Sequence, residues 1–175
     1  MMSILNEQEE GTLPRLFTTP TDRTAILAGK FLAVLITVFI QGCVLLIAGR
    51  LAFRANWGQP LSMLLALLGQ VIGATGLGVF LISLVKTSKQ AGPILGGGLS
   101  AIGMLSGLFT VAVPNIPSFF NTISLFTPQG WVLRGWKLAI NGSSPSELLL
   151  PLAVTLGMGL VMFFIGAALF RRRFA

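Results

Sequence analysis

Apolar residues along the chain gather in four long runs, residues 25–49, 61–85, 92–113 and 148–170, the first three parted by short polar breaks and the last set off by a longer stretch. A helix needs about 20 mainly apolar residues to cross a bilayer, and each run is long enough to predict a transmembrane helix. Lys30 sits close enough to one end of the first run to snorkel to the headgroups. The second carries no charge, Pro114 and Pro117 close the third, and Arg171, Arg172 and Arg173 stop the fourth. The stretch 114–147 is too long and too apolar for a simple connector. From Pro128 it predicts a short amphipathic helix, with Trp131, Leu133, Trp136 and Ile140 apolar and Arg134 and Lys137 polar. Tryptophan favours the membrane–water boundary, so Trp131 and Trp136 are expected as outer interfacial anchors, on a segment that lies in or dips into the outer leaflet. The predicted fold is an all-α integral membrane protein, one transmembrane domain of four spans. A cytoplasmic amphipathic segment (1–24) precedes them, and an interfacial or re-entrant helix precedes the last.

Composition agrees. Only 10% of residues are charged and 54% are hydrophobic, against about 25% charged in a soluble domain, too little polar surface to hold a globule in water. Disorder needs low hydrophobicity and is excluded too. The net charge of +7 does not indicate nucleic acid, because no basic stripe interleaved with aromatics is present. It reflects basic residues at the ends of apolar runs. Short loops rich in Lys and Arg stay cytoplasmic. With both termini inside, the inner set is Arg15, Arg23, Lys30, Lys86, Lys89 and Arg171 to Arg173, eight residues; the outer set is Arg50, Arg54, Arg134 and Lys137, four. Both ends, including the basic tail 171–175, are therefore expected in the cytoplasm of a plasma or inner membrane. The start "MMSILNEQEEG" is acidic where a signal peptide is basic. Cys43 stands alone and forms no internal disulfide.

Glycine pairs Gly69/Gly73, Gly92/Gly96 and Gly103/Gly107 have the small-xxx-small spacing that lets helix backbones approach in lipid. The triplet Gly96 to Gly98 also weakens the third helix, by about 1 kcal/mol per glycine against alanine. The few interior polar groups, Gln41, Gln70 and Thr75, are candidates either to line a translocation path or to bond between helices.

Catalytic chemistry is sparse. The chain has no His, and no span has an interior Asp or Glu, which leaves no proton relay, no Ser–His pair and no zinc motif. No catalytic residue and no metal ligand is expected. A Ser–Lys hydrolase using Lys30, Lys86 or Lys89 remains a formal alternative, as does a non-transporting membrane scaffold. No phosphate loop "GxxxxGK[ST]" is present, so this chain is expected to bind no cofactor, and any ATP must act on a partner.

Four of the five acids fall in the opening stretch, at Glu7, Glu9, Glu10 and Asp22. Ile4, Leu5, Leu13, Leu16 and Phe17 give that stretch an amphipathic pattern, broken by Pro14. Thr21 or Asp22 can cap the first span. The segment "EEGTLPRLFTTPTDRTAILAGKFLA" resembles the cytoplasmic segment of permeases in the type-2 ATP-binding-cassette (ABC) exporter family, with its acidic pair, Gly-Thr, Arg-Leu, Thr-Pro and Gly-Lys in order. "ISLFTPQGWVLRGWKLAINGSS" is similar to that family's apolar outer loop. The resemblance implies a permease subunit, not itself an enzyme, that pairs with a second permease copy (the same or a different chain) and with ATPase subunits that hydrolyse ATP. It implies that Glu7, Glu9, Glu10, Gly11, Thr12, Arg15 and Arg23 couple to the ATPase. Members of that family carry about six spans, so the chain resembles its C-terminal portion and is expected to be a fragment, a split gene or the product of a wrongly assigned start, with a degenerate permease fragment as the alternative reading.

Overall fold

The computed structural model describes residues 23–85, 87–108 and 118–174; the expected coupling residues Glu7, Glu9, Glu10, Gly11, Thr12 and Arg15, the capping candidates Thr21 and Asp22, and Lys86 lie outside them. The described residues form six helices in order: α1 (Arg23–Phe53), α2 (Pro60–Leu84), α3 (Ser88–Leu105), α4 (Ser118–Ser124), α5 (Pro128–Ile140) and α6 (Pro145–Phe174). No strand occurs among the described residues. Among the described residues three helices, α1, α2 and α6, are long and apolar enough to cross a membrane by length and composition.

The expected third span differs. Its helix starts at Ser88, four residues early, and α3 ends at Leu105. The physical stop is Gly107, whose φ of 78° is the left-handed cap conformation open to glycine, and whose N–H bonds the Met104 carbonyl at 3.1 Å. The prolines assigned to close this span, Pro114 and Pro117, stand beyond that stop and outside the described residues. At 18 residues and about 1.5 Å per residue, α3 is shorter than the other three long helices, and by length and composition it is not among the three that could cross.

Helix α2 is the hub and the most buried of the set, with Leu67, Val71, Leu77 and Ile82 almost fully covered. α6 runs parallel to it. Gly69 faces Leu152, Gly73 faces Thr155, Gly76 lies against Gly159, and Gly166 lies against Val79. The seam is tight because neither backbone carries a side chain at the crossing: a Cβ added to Gly76 would fall 2.8 Å from Gly159 Cα. The expected pair Gly69/Gly73 does serve helix packing. Gly92 and Gly96 do not within this chain, since an added Cβ at either meets nothing within 4 Å.

α1 lies antiparallel to α2, with Gly42 over Leu67 and Leu46 in a cluster with Leu67 and Val71. Its remaining faces are open, and Leu45, Ile47 and Leu51 are exposed, as lipid-facing positions are. Phe31 reaches α6 at Phe163, ring centroids 4.5 Å apart. The α1–α2 loop folds onto the far end of α5. Gly58, φ 80°, packs so near the Ala139 backbone that no Cβ fits, and the Ser62 hydroxyl donates to the Ser143 carbonyl at 3.1 Å. The two loops 54–59 and 141–144 therefore share one end of the molecule.

Candidate functional site

The amphipathic helix expected from Pro128 is present as α5, standing upright against α2. Pro128 and Val132 approach Gly73, Trp136 bonds Gln70, and Ala139 packs with Ala66. Gly73 is 13 residues from the Pro60 end of α2, about 20 Å at 1.5 Å per residue, against a hydrocarbon core of about 30 Å. α5 thus starts deep along the spanning helices and climbs to the loop end. Local sequence explains its start: Pro128 suits the first helical turn, where its missing N–H costs nothing, and the Thr127 hydroxyl caps it by accepting from Gly130 N–H at 3.1 Å.

At the foot of α5 the end of α3 meets the α4–α5 turn. Ser106 Oγ and Thr127 Oγ1 are 2.9 Å apart. Ser106 also reaches the Ile102 carbonyl, and Thr127 reaches the Ser124 carbonyl at 2.9 Å. Each hydroxyl has one proton, so three acceptors share two donors and the pair can rearrange without moving the backbone. Above it opens a cavity of about 270 Å³ lined by Ser106, Phe120, Asn121, Leu133, Arg134 and Lys137 among others. Its floor is polar and neutral, one wall is aromatic, and two exposed cations stand on α5. Arg134 lies over the Trp131 ring, 5.4 Å from the centroid, an attraction between cation and ring quadrupole. Such a cavity suits an amphipathic molecule with polar or anionic groups. One acceptor nearby, Gln129 Oε1, is buried with no partner among the described residues.

The sequence-derived candidates fall in separate places. Gln41 is exposed on α1. Gln70, half-buried on α2, accepts from Trp136 Nε1 at 2.7 Å, and buried Thr75 donates to the Val71 carbonyl of its own helix. The three do not converge on one lining. Of the tryptophans, Trp131 Nε1 donates to the Leu125 carbonyl at 2.9 Å, and Trp136 stands edge-on to Trp57, centroids 6.3 Å apart. Both indole N–H groups are thus engaged inside the protein. Arg23 begins α1.

Sequence reasoning missed Ser106, Asn121 and Thr127. The only available signal was Thr127 before Pro128, a cap preceding a first-turn proline. It also missed the start of α6. There "SPSE" places Ser144 three residues before Glu147, whose Oε1 accepts from the Ser144 N–H at 3.2 Å and hydroxyl at 3.0 Å, the half of the capping box in which the carboxylate reaches back to the N-cap N–H.

A family profile described as "ABC-2 family transporter protein" matches residues 1–168. The chain is similar to the linearmycin resistance permease protein LnrN of Bacillus subtilis (strain 168), 27% identical over 167 residues, covering 94% of this chain and 43% of that protein. The chain therefore spans less than half the length of that relative. No solved structure matches it.

Proposed function

The chain belongs to the ABC-2 family of transporter proteins, and from that premise we propose that it is the membrane-spanning permease subunit of an ATP-driven exporter, coupled to a separate ATPase. The single observation that carries this reading is the family match running through both the opening segment and the spans, residues 1–168. Three helices of spanning length support the membrane assignment. In the proposed arrangement both termini face the cytoplasm and α3 takes part in the fourth crossing. α5 rises from mid-depth to the outer surface. Glu7, Glu9, Glu10, Gly11, Thr12, Arg15 and Arg23 dock on the ATPase, where clustered carboxylates meeting basic groups set register and steer association. A second permease copy, the same or a different chain, completes the path.

The relative's name links it to resistance to linearmycin. A cargo of small amphipathic molecules fits this chain as well, because its spans hold no interior acid and the cavity at the foot of α5 pairs a polar floor with an aromatic wall. The test is reconstitution with the ATPase that co-purifies from the same membranes. ATP hydrolysis in proteoliposomes is expected to rise when this chain is included and to respond to cargo. Hydrolysis indifferent to the chain, together with unchanged drug sensitivity in cells lacking it, would leave a scaffold as the surviving explanation.

A further inference from the structure

At the loop end of the molecule, Arg50 and Arg54 line one groove of about 490 Å³ together with Asn56, Trp57 and Met63. Neither cation is paired with an acid among the described residues. Of the chain's five acids, four precede Arg23 in the sequence and lie outside the described residues. The fifth, Glu147, is engaged by Ser144. Arg54 is also the sole described non-glycine residue with positive φ, 53°. It occupies the left-handed position just past α1, where glycine is the usual choice, and the Ala55 N–H closes the helix end on the Gly49 carbonyl at 3.3 Å. Such strain is retained where the side chain is needed at that spot. Here it keeps a second guanidinium on the groove that Arg50 already lines.

The neighbours identify the ligand. Leu51 and Phe53 are 78% and 84% exposed, so the end of α1 alternates bare apolar side chains with bare cations, the pattern of a boundary between acyl chains and headgroups. Trp57 spends its N–H on the Leu46 carbonyl at 3.0 Å, leaving the ring rather than a donor to the groove. We propose that this groove binds the phosphate of an anionic phospholipid headgroup. The two guanidiniums take the phosphate oxygens in the forked geometry that suits them, and the acyl chains cover Leu51 and Phe53. A free phosphate would leave those two side chains bare.

The test uses the full chain purified in detergent, with lipid adducts counted by native mass spectrometry. The probes are palmitoyl-oleoyl phosphatidylglycerol and the matching phosphatidylcholine, each with and without millimolar inorganic phosphate. Arg54→Gly removes one guanidinium and relieves the left-handed strain, so it melts at or above the wild-type temperature. Arg54→Gly and Arg50→Gln are each expected to hold phosphatidylglycerol about tenfold more weakly, the loss of one charge-assisted contact, with phosphatidylcholine unchanged. Equal phosphatidylglycerol retention in wild type and Arg54→Gly overturns the proposal. So does displacement of the lipid by inorganic phosphate, which reassigns the groove to a free anion, and so does a lower melting temperature for Arg54→Gly, which removes the strained-cap premise.

Discussion

Adding one methyl group at Gly76 tests whether the α2–α6 seam holds the fold. The new Cβ would stand 2.8 Å from Gly159 Cα, 2.9 Å from its carbonyl carbon and closer still to its oxygen. Carbon atoms pack at about 3.5–4.0 Å, so the two helices would have to part by about 1 Å along much of their shared length. Every atom in the way is backbone, and no side chain can swing aside. Overpacking costs about 1–3 kcal/mol, and this site belongs at the upper end. Alanine returns about 1 kcal/mol through its better helix propensity. The expected net loss for Gly76→Ala is about 2 kcal/mol. Gly78→Ala, two residues on, meets nothing within 4 Å and should gain up to about 1 kcal/mol from the same propensity difference. Gly159→Ala falls between, because its Cβ would meet Ile72 Cγ2 and the Ile72 carbonyl oxygen at 3.1 Å. Denaturant titration in mild detergent, followed by size-exclusion of a fluorescent fusion, reads all three. Gly76→Ala and Gly78→Ala unfolding at the same midpoint would show that the seam is not the close contact described.

Gln70→Leu removes the acceptor for Trp136 Nε1 and is expected to cost about 0.6 kcal/mol, the mean for a bond between membrane helices. A double-mutant cycle with Trp136→Phe should recover that coupling; altered cargo preference per folded molecule would instead make Gln70 part of the path. Reversing charge at Glu9 and Glu10 should reduce co-purification with the ATPase while insertion into the membrane is unchanged, and full complex recovery would remove the coupling role. For orientation, cysteine placed at exposed Asn141, after Cys43 is replaced, should react with an impermeant thiol reagent in intact cells. Labelling beside Arg172 instead would invert the proposed topology.

Hydropathy made α1, α2 and α6 legible, because long apolar runs carry their meaning in composition alone. α5 was legible as a helix from Pro128 and the spacing of its tryptophans and cations, but its attitude was open. The amphipathic pattern took Ile140 for the apolar side, whereas Ile140 is exposed and the buried face is Pro128, Gly130, Gly135 and Ala139. Small residues score as neutral in a hydropathy reading, yet they decide which backbone can come close. The same blindness hid Gly76, Gly159 and Gly166, whose partners are far apart in sequence. The small-xxx-small spacing found Gly69 and Gly73 but equally marked Gly92 and Gly96, which touch nothing, because spacing within one helix says nothing about what faces it. Ser106 and Thr127 were invisible for a similar reason: their proximity depends on where Gly107 ends α3.

The interlocked glycines also restrict how the two longest-packed helices can move. If α6 slid along α2 by one turn, Gly159 would leave its place against Gly76, and Thr155 or Phe163 would take it, each far too large for a gap that excludes even a methyl. Piston travel is therefore blocked, while tilting about the crossing changes the contact little. α2 and α6 form a pivot, and displacement imposed at one end of α6 must reach the other as rotation, with opposite sign across Gly159. Because α5 leans on α2 from Gly73 to Ala66, on the loop side of that crossing, a tilt of α6 relative to α2 would open or close the space beside α5 without either helix sliding.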